Sequence, residues 1–86
     1  MALKSNFIDV EGLRTHYFDE GEGPVVVLMH GAALGIDSEF TWFRQIEALR
    51  DRYRVIAFDQ PGFGKSTIPE RFMGRAKRAE HAVAFL

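Results

Sequence analysis

Eighty-six residues leave room for one small domain. The chain is 47% hydrophobic and 27% charged, ordinary values for a globular protein. Eleven Lys and Arg against 12 Asp and Glu give a net charge of −1, which excludes a strongly basic nucleic-acid binder and a disordered acidic tail. The absence of cysteine excludes a disulfide scaffold, a cysteine-ligated zinc site and thiol catalysis.

The first segment alternates in polarity. Phe7, Ile8 and Val10 lead to Glu11-Gly12, and Leu13, Thr15, Tyr17 and Phe18 follow. Period two around a central Glu-Gly predicts two short antiparallel strands and a tight turn. Asp19 to Pro24 is a polar, glycine-rich loop. Val25-Val26-Val27-Leu28-Met29 then reads as a strand buried on both faces, as in the centre of a helix-covered parallel sheet. With Pro24 it is the longest apolar run, far short of the roughly 18 residues that span a bilayer. Nor does the N-terminus show the apolar core of a signal peptide, so the default location is the cytoplasm.

His30 to Gly35 forms a loop, and Asp37 or Ser38 can cap the next helix. Trp42, Ile46 and Leu49 fall at i, i+4 and i+7 on one face of that helix, opposite Arg44, Gln45, Glu47 and Arg50. Arg54 to Phe58 is a second buried-type strand. It runs into the turn-rich loop Asp59-Gln60-Pro61-Gly62-Phe63-Gly64-Lys65-Ser66. In the last helix the expected buried stripe is Phe72, Ala76, Ala79, Val83 and Leu86, opposite Arg75, Lys77, Arg78 and Glu80. No glycine cap or proline closes this helix, so the pattern reads as unfinished. The order β-β-β-α-β-α predicts an α/β fold: an antiparallel hairpin followed by a mostly parallel sheet.

Two motif tests fail. Gly64-Lys65-Ser66 ends like a Walker A loop, but the first glycine of that motif would fall at Asp59, whose carboxylate repels phosphate. G-x-G-x-x-G breaks at Thr67. None of Ser5, Ser38 and Ser66 has the flanking glycines of a G-x-S-x-G nucleophile elbow. His16 on an amphipathic strand and His81 on a polar helical face both read as surface residues. His30-Gly31 differs, because it follows a buried strand at the sheet end where α/β folds place ligands. Its ring reads as part of the turn. The backbone N–H groups of Ala32 and Ala33, just beyond, suit an oxyanion.

The ordered pair of His30-Gly31 after one strand and Asp59-x-Pro61-Gly62-Phe63-Gly64-x-Ser66 after the next resembles the α/β-hydrolase family. The resemblance runs from about Phe7 to the end of the chain. It implies that residues 1–86 form the N-terminal portion of one α/β-hydrolase domain. The D-Q-P-G-F-G-K-S loop looks most like the meta-cleavage-product hydrolases, serine-dependent C–C bond hydrolases of aromatic-ring catabolism. Their usual H-G-G-G-P-G loop reads His30-Gly31-Ala32-Ala33-Leu34-Gly35 here. Haloalkane dehalogenases and epoxide hydrolases tend to show H-G-x-P, and Ala33 departs from that.

The resemblance implies that Ala32 donates its amide to the oxyanion, with Ala33 as the neighbouring candidate. His30, Gly31, Asp59, Gly62, Gly64 and Ser66 take structural roles. The family's serine, acid and histidine would lie downstream of Leu86, so the chain alone is expected to be inactive. The reaction implied needs no metal and no organic cofactor. The implied partner is a small-molecule substrate, with no nucleic acid and no membrane. In the family's sheet a fifth strand pairs with the far side of the third, so self-association through that exposed edge is also expected. A carboxylic-ester hydrolase and a non-catalytic binding domain are the alternative readings.

Overall fold

In the computed structural model, residues 3–30, 38–69 and 75–86 are described. The elements are β1 (Asn6–Val10), β2 (Leu13–Glu20), β3 (Val25–Met29), α1 (Ser38–Leu49), β4 (Arg54–Phe58) and α2 (Arg75–Phe85). The order is the expected β-β-β-α-β-α. The strands form one sheet in the order β1-β2-β4-β3. β1 and β2 are antiparallel, β2 and β4 are antiparallel, and β3 and β4 are parallel.

The hairpin turn is the predicted one. Val10 pairs with Leu13 across Glu11 (φ 51°) and Gly12 (φ 85°), and the Gly12 N–H donates to Asp9 Oδ1 at 2.8 Å. Two positive φ values match the twist of the flanking strands. The next loop is held more tightly. Gly21 has φ +87°, and a Cβ there would lie 2.3 Å from the Tyr53 carbonyl oxygen and 2.4 Å from that of Arg50. Only glycine lets the β2–β3 loop press this closely on the end of α1. Arg50 also pairs with Glu20 at 3.1 Å, and Arg54 with Asp19 at 2.7 Å.

Period two splits the sheet into two faces. On one, Phe18, Val55 and Ala57 form a core with Ile46 of α1, and Leu3, Leu28, Trp42, Leu49 and Tyr53 pack against it. The expected Trp42–Ile46–Leu49 stripe is therefore the one α1 buries. On the other face, Phe85 of α2 stacks on Phe58 at 4.6 Å between ring centroids and meets Tyr17 edge-on at 5.4 Å.

Two expectations need correction. β3 is not buried on both faces: Val25, Val27 and Met29 are 57%, 38% and 43% exposed. The cause is position. β3 stands at the edge of the described sheet, and the aromatic contacts of α2 fall on Tyr17 of β2 and Phe58 of β4. The alanine-rich stripe of α2 is not its packed face either. Val83 and Leu86 are each 74% exposed, Ala76 and Ala79 are exposed, and Phe72 lies outside the described residues. The line that packs is Arg78, His81, Ala82 and Phe85. One phenylalanine ring buries more apolar surface than several alanine methyls, and the aromatic sheet face selects it.

Candidate active-site scaffold

The C-terminal ends of the parallel pair β3 and β4 lead into His30 and Asp59, both buried. Two reciprocal hydrogen bonds tie these ends together. The Gln60 backbone N–H donates to His30 Nε2 at 2.9 Å, and the Gln60 side-chain amide donates to the His30 carbonyl at 2.6 Å. Since Nε2 accepts, the neutral ring carries its proton on Nδ1. Phe63 meets the same ring edge-on at 5.2 Å.

The loop after β4 is closed by its own backbone. Phe63 N–H donates to Gln60 O at 3.0 Å, Ser66 N–H to Phe63 O at 3.1 Å, and Gly62 N–H to Thr67 O at 3.0 Å. Gly62, at φ +89°, supplies the left-handed conformation within the Gln60–Phe63 turn. Gly64 also has a positive φ, 52°. A further bond, Thr67 N–H to Arg14 O at 2.8 Å, docks the loop on β2.

Asp59 organises the other side of the loop. Its Oδ2 lies 2.7 Å from His16 Nδ1 and accepts the Lys65 N–H at 3.1 Å. Ser66 Oγ donates to the Asp59 carbonyl at 2.6 Å and accepts the His16 N–H at 2.9 Å. The surface reading of His16 is thus wrong. It shares a strand face with Phe18 and is buried between the Phe7 and Phe18 rings. Its spacing from Phe18, two residues along β2, was the available signal. His81 is likewise buried, with Nε2 2.9 Å from Thr15 Oγ1.

Ser66, His16 and Asp59 have the composition of a hydrolytic triad but not its geometry. In a triad the serine oxygen bonds the ring nitrogen opposite the acid. Here Ser66 bonds the His16 backbone, and His16 Nε2 is buried with no hydrogen-bond partner among the described residues. The cluster is a structural latch between β2 and the β4 loop. Asp59, Gly62, Gly64 and Ser66 all take part in the loop's architecture. Gly31, Ala32 and Ala33 lie outside the described residues. Among the described residues no three His, Asp or Glu side chains converge as metal ligands, and no helix is long and apolar enough to cross a membrane.

The α/β-hydrolase fold model matches residues 24–83, which takes in β3, α1, β4, its loop and most of α2. The chain belongs to the α/β-hydrolase family. It is 36% identical over 85 residues to the 2-hydroxy-6-oxo-6-(2'-aminophenyl)hexa-2,4-dienoic acid hydrolase of Metapseudomonas resinovorans, covering 99% of this chain and 29% of that protein. It superposes with a TM-score of 0.92 and 37% identity on a serine hydrolase involved in carbazole degradation, covering 98% of this chain and 33% of that one. Haloalkane dehalogenase 2 of Mycobacterium tuberculosis is 42% identical over 70 residues, 81% of this chain and 23% of that protein. Meta-cleavage product hydrolases and epoxide hydrolases are also similar. This α/β-hydrolase chain therefore spans about a third or less of the length of those relatives. Their chemistries differ, so the shared scaffold defines the family rather than one bond type.

Proposed function

We propose that this chain is the N-terminal portion of an α/β-fold serine hydrolase that cleaves a C–C bond in a ring-fission dienoate. The observation that carries this reading is the 36% identity to a dienoic acid hydrolase along 85 residues. The D-Q-P-G-F-G-K-S loop, locked to β3 through Gln60 and His30, supports it.

In this reading the serine, its histidine and its acid come from elsewhere in the polypeptide. The serine gives its proton to the histidine as its oxygen adds to the substrate carbonyl, and the electron pair of the C=O bond moves to the carbonyl oxygen. That oxyanion receives the Ala32 amide, with Ala33 beside it. Such a donor matters because it is already in place when the charge develops. Collapse breaks the C–C bond, and its electron pair leaves with the dienoate carbon, which takes a proton. Water then hydrolyses the acyl-serine to the free carboxylic acid. The 86-residue chain alone has no serine in elbow spacing and is inactive in this reading.

The test uses the full-length gene product with a 2-hydroxy-6-oxo-hexa-2,4-dienoate, followed by loss of the dienoate absorbance and identification of the released carboxylic acid. Stoichiometric release is expected. Turnover of carboxylic esters with none of the dienoate would instead establish the ester-hydrolase reading. Turnover of neither would remove both.

A further inference from the structure

We infer that α2 is a pH-released helix: it docks on the sheet through a histidine that must stay neutral, and protonation of His81 frees the helix while the sheet stays folded. Among the described side chains of α2, His81 is the one that is buried, at 3% exposed. Arg78, Ala82 and Phe85 are half-buried, and the others are exposed. The deepest contact of the helix is therefore a group that titrates near neutrality.

The site holds the ring with one proton. Thr15 Oγ1 donates to the Leu13 carbonyl at 3.2 Å, so at 2.9 Å it accepts from His81 Nε2. Nδ1 is buried and has no hydrogen-bond partner among the described residues. A second proton, on Nδ1, puts a cation in the interior beside the Phe58 ring, with a donor left unmade.

The groups that face the ring do not supply what is missing. Burial is the main cause that holds its pKa below the ordinary 6.5; Glu11 in the hairpin turn opposes the shift, and Arg78, one turn back on α2, adds to it. β1, β2 and β4 turn Ile8, Val10, Thr15, Tyr17 and Phe58 to this face, with the Tyr17 phenol the one titratable group among them. Lys77 and Glu80 are exposed and pair with each other at 3.5 Å.

The release is local because the two faces of the sheet are packed separately. The core of Phe18, Ile46, Val55 and Ala57 lies on the α1 face, and no described residue of α2 belongs to it. The other ties of α2 are Phe85 on Phe58 and Tyr17, and the Arg78 guanidinium on Phe63 and on the Pro61 carbonyl.

The test is amide hydrogen exchange, read by mass spectrometry on the full-length protein from pH 8 to 5 and corrected for the intrinsic rate at each pH. In wild type the protection of Arg75–Phe85 should fall by up to about 30-fold at pH 5, the limit set by a released histidine of pKa about 6.5, while β2 and β4 keep theirs. His81→Gln keeps a donor for Thr15 and does not titrate, so its α2 protection should stay flat with pH. His81→Leu gives up the bond to Thr15 and should be equally flat at a lower level. His16 and His30 are common to all three proteins.

Loss of protection in α2 and the sheet together would mean global unfolding and overturn the release. The same pH-dependent loss in both variants would assign the titration elsewhere and overturn it too, as would a flat wild-type profile. Activity enters none of these readouts, so the hydrolase reading stands or falls apart from them.

Discussion

His16 Nδ1 and Asp59 Oδ2 lie 2.7 Å apart, with both side chains almost wholly shielded from solvent. Asp59 caps the end of β4, and His16 sits mid-way along β2. The two strands also exchange a backbone bond here, Asp59 N–H to His16 O at 2.9 Å. The pair thus closes the β2–β4 junction at the level where the loop departs. Removing one member of such a pair strands polar atoms in the interior. His16→Leu keeps an apolar body between Phe7 and Phe18 but deletes the donor, and should cost about 3–5 kcal/mol. Asp59→Asn keeps the shape and an acceptor, and should cost only about 1–2 kcal/mol. Urea unfolding of the two variants measures the difference. Equal midpoints for His16→Leu and wild type would show that the pair contributes nothing net.

A second buried histidine makes stability depend on pH. Thr15 Oγ1 donates to the Leu13 carbonyl at 3.2 Å, so His81 Nε2 donates to Thr15. His81 Nδ1 then has a lone pair and no partner among the described residues. Burial lowers the His81 pKa; Glu11 opposes the shift and Arg78 adds to it. The folded state therefore binds this proton less readily than the unfolded chain does. Its contribution to stability is full above the ordinary value of 6.5 and declines as pH falls from there through the folded-state value. His81→Leu keeps apolar contact with Phe58 and removes the titration. Unfolding midpoints from pH 8 to 5 should fall less steeply for this variant than for wild type. Parallel curves would show that His81 is not the group responsible.

The oxyanion role proposed for the Ala32 amide can be tested with two substitutions that add no polar side chain. In the full-length protein, Ala32→Pro deletes the amide hydrogen and Ala32→Gly keeps it. Loss of one oxyanion donor lowers kcat by about 100- to 1,000-fold in other hydrolases. Ala32→Pro should show a fall of that order and Ala32→Gly a much smaller one. Equal activity in two folded variants would assign the donor elsewhere.

The edge position of β3 in the described sheet predicts how the 86-residue chain behaves by itself. Val25 to Met29 is apolar and uncharged, with three β-branched valines, and it stands at the edge of the described sheet. A strand edge of this kind pairs readily with another strand, and a net charge of −1 gives little repulsion between copies. Light scattering over a range of concentrations should show self-association. Val27→Lys, which puts a charge on the exposed face of that strand, should reduce it. A wild-type chain that stays monomeric at every concentration would contradict the expectation.

Much of the architecture was legible in the residues themselves. Alternation around Glu11-Gly12 specified the hairpin, because period two and a positive-φ turn are local properties. The Trp42–Ile46–Leu49 spacing marked the face α1 buries, since i, i+4 and i+7 place the three side chains on one side of a helix. His30-Gly31 and the Asp59–Ser66 loop marked the family, and the tight loop after β4 restricts which residues fit there.

What the residues could not reveal is which neighbour each amphipathic face meets. His16 and His81 looked like surface histidines because the first sits on an amphipathic strand and the second on a polar helical face. Only the assembled sheet brings Asp59 to the first and Thr15 to the second, across 43 and 66 residues of chain. In α2 the longer stripe of small apolar residues lost to one phenylalanine, because the sheet offered Tyr17 and Phe58 as partners. Val25 to Met29 carried the composition of a central strand, yet a strand's burial depends on what lies beside and above it. Local periodicity records a side chain's direction, and packing alone decides what it meets there.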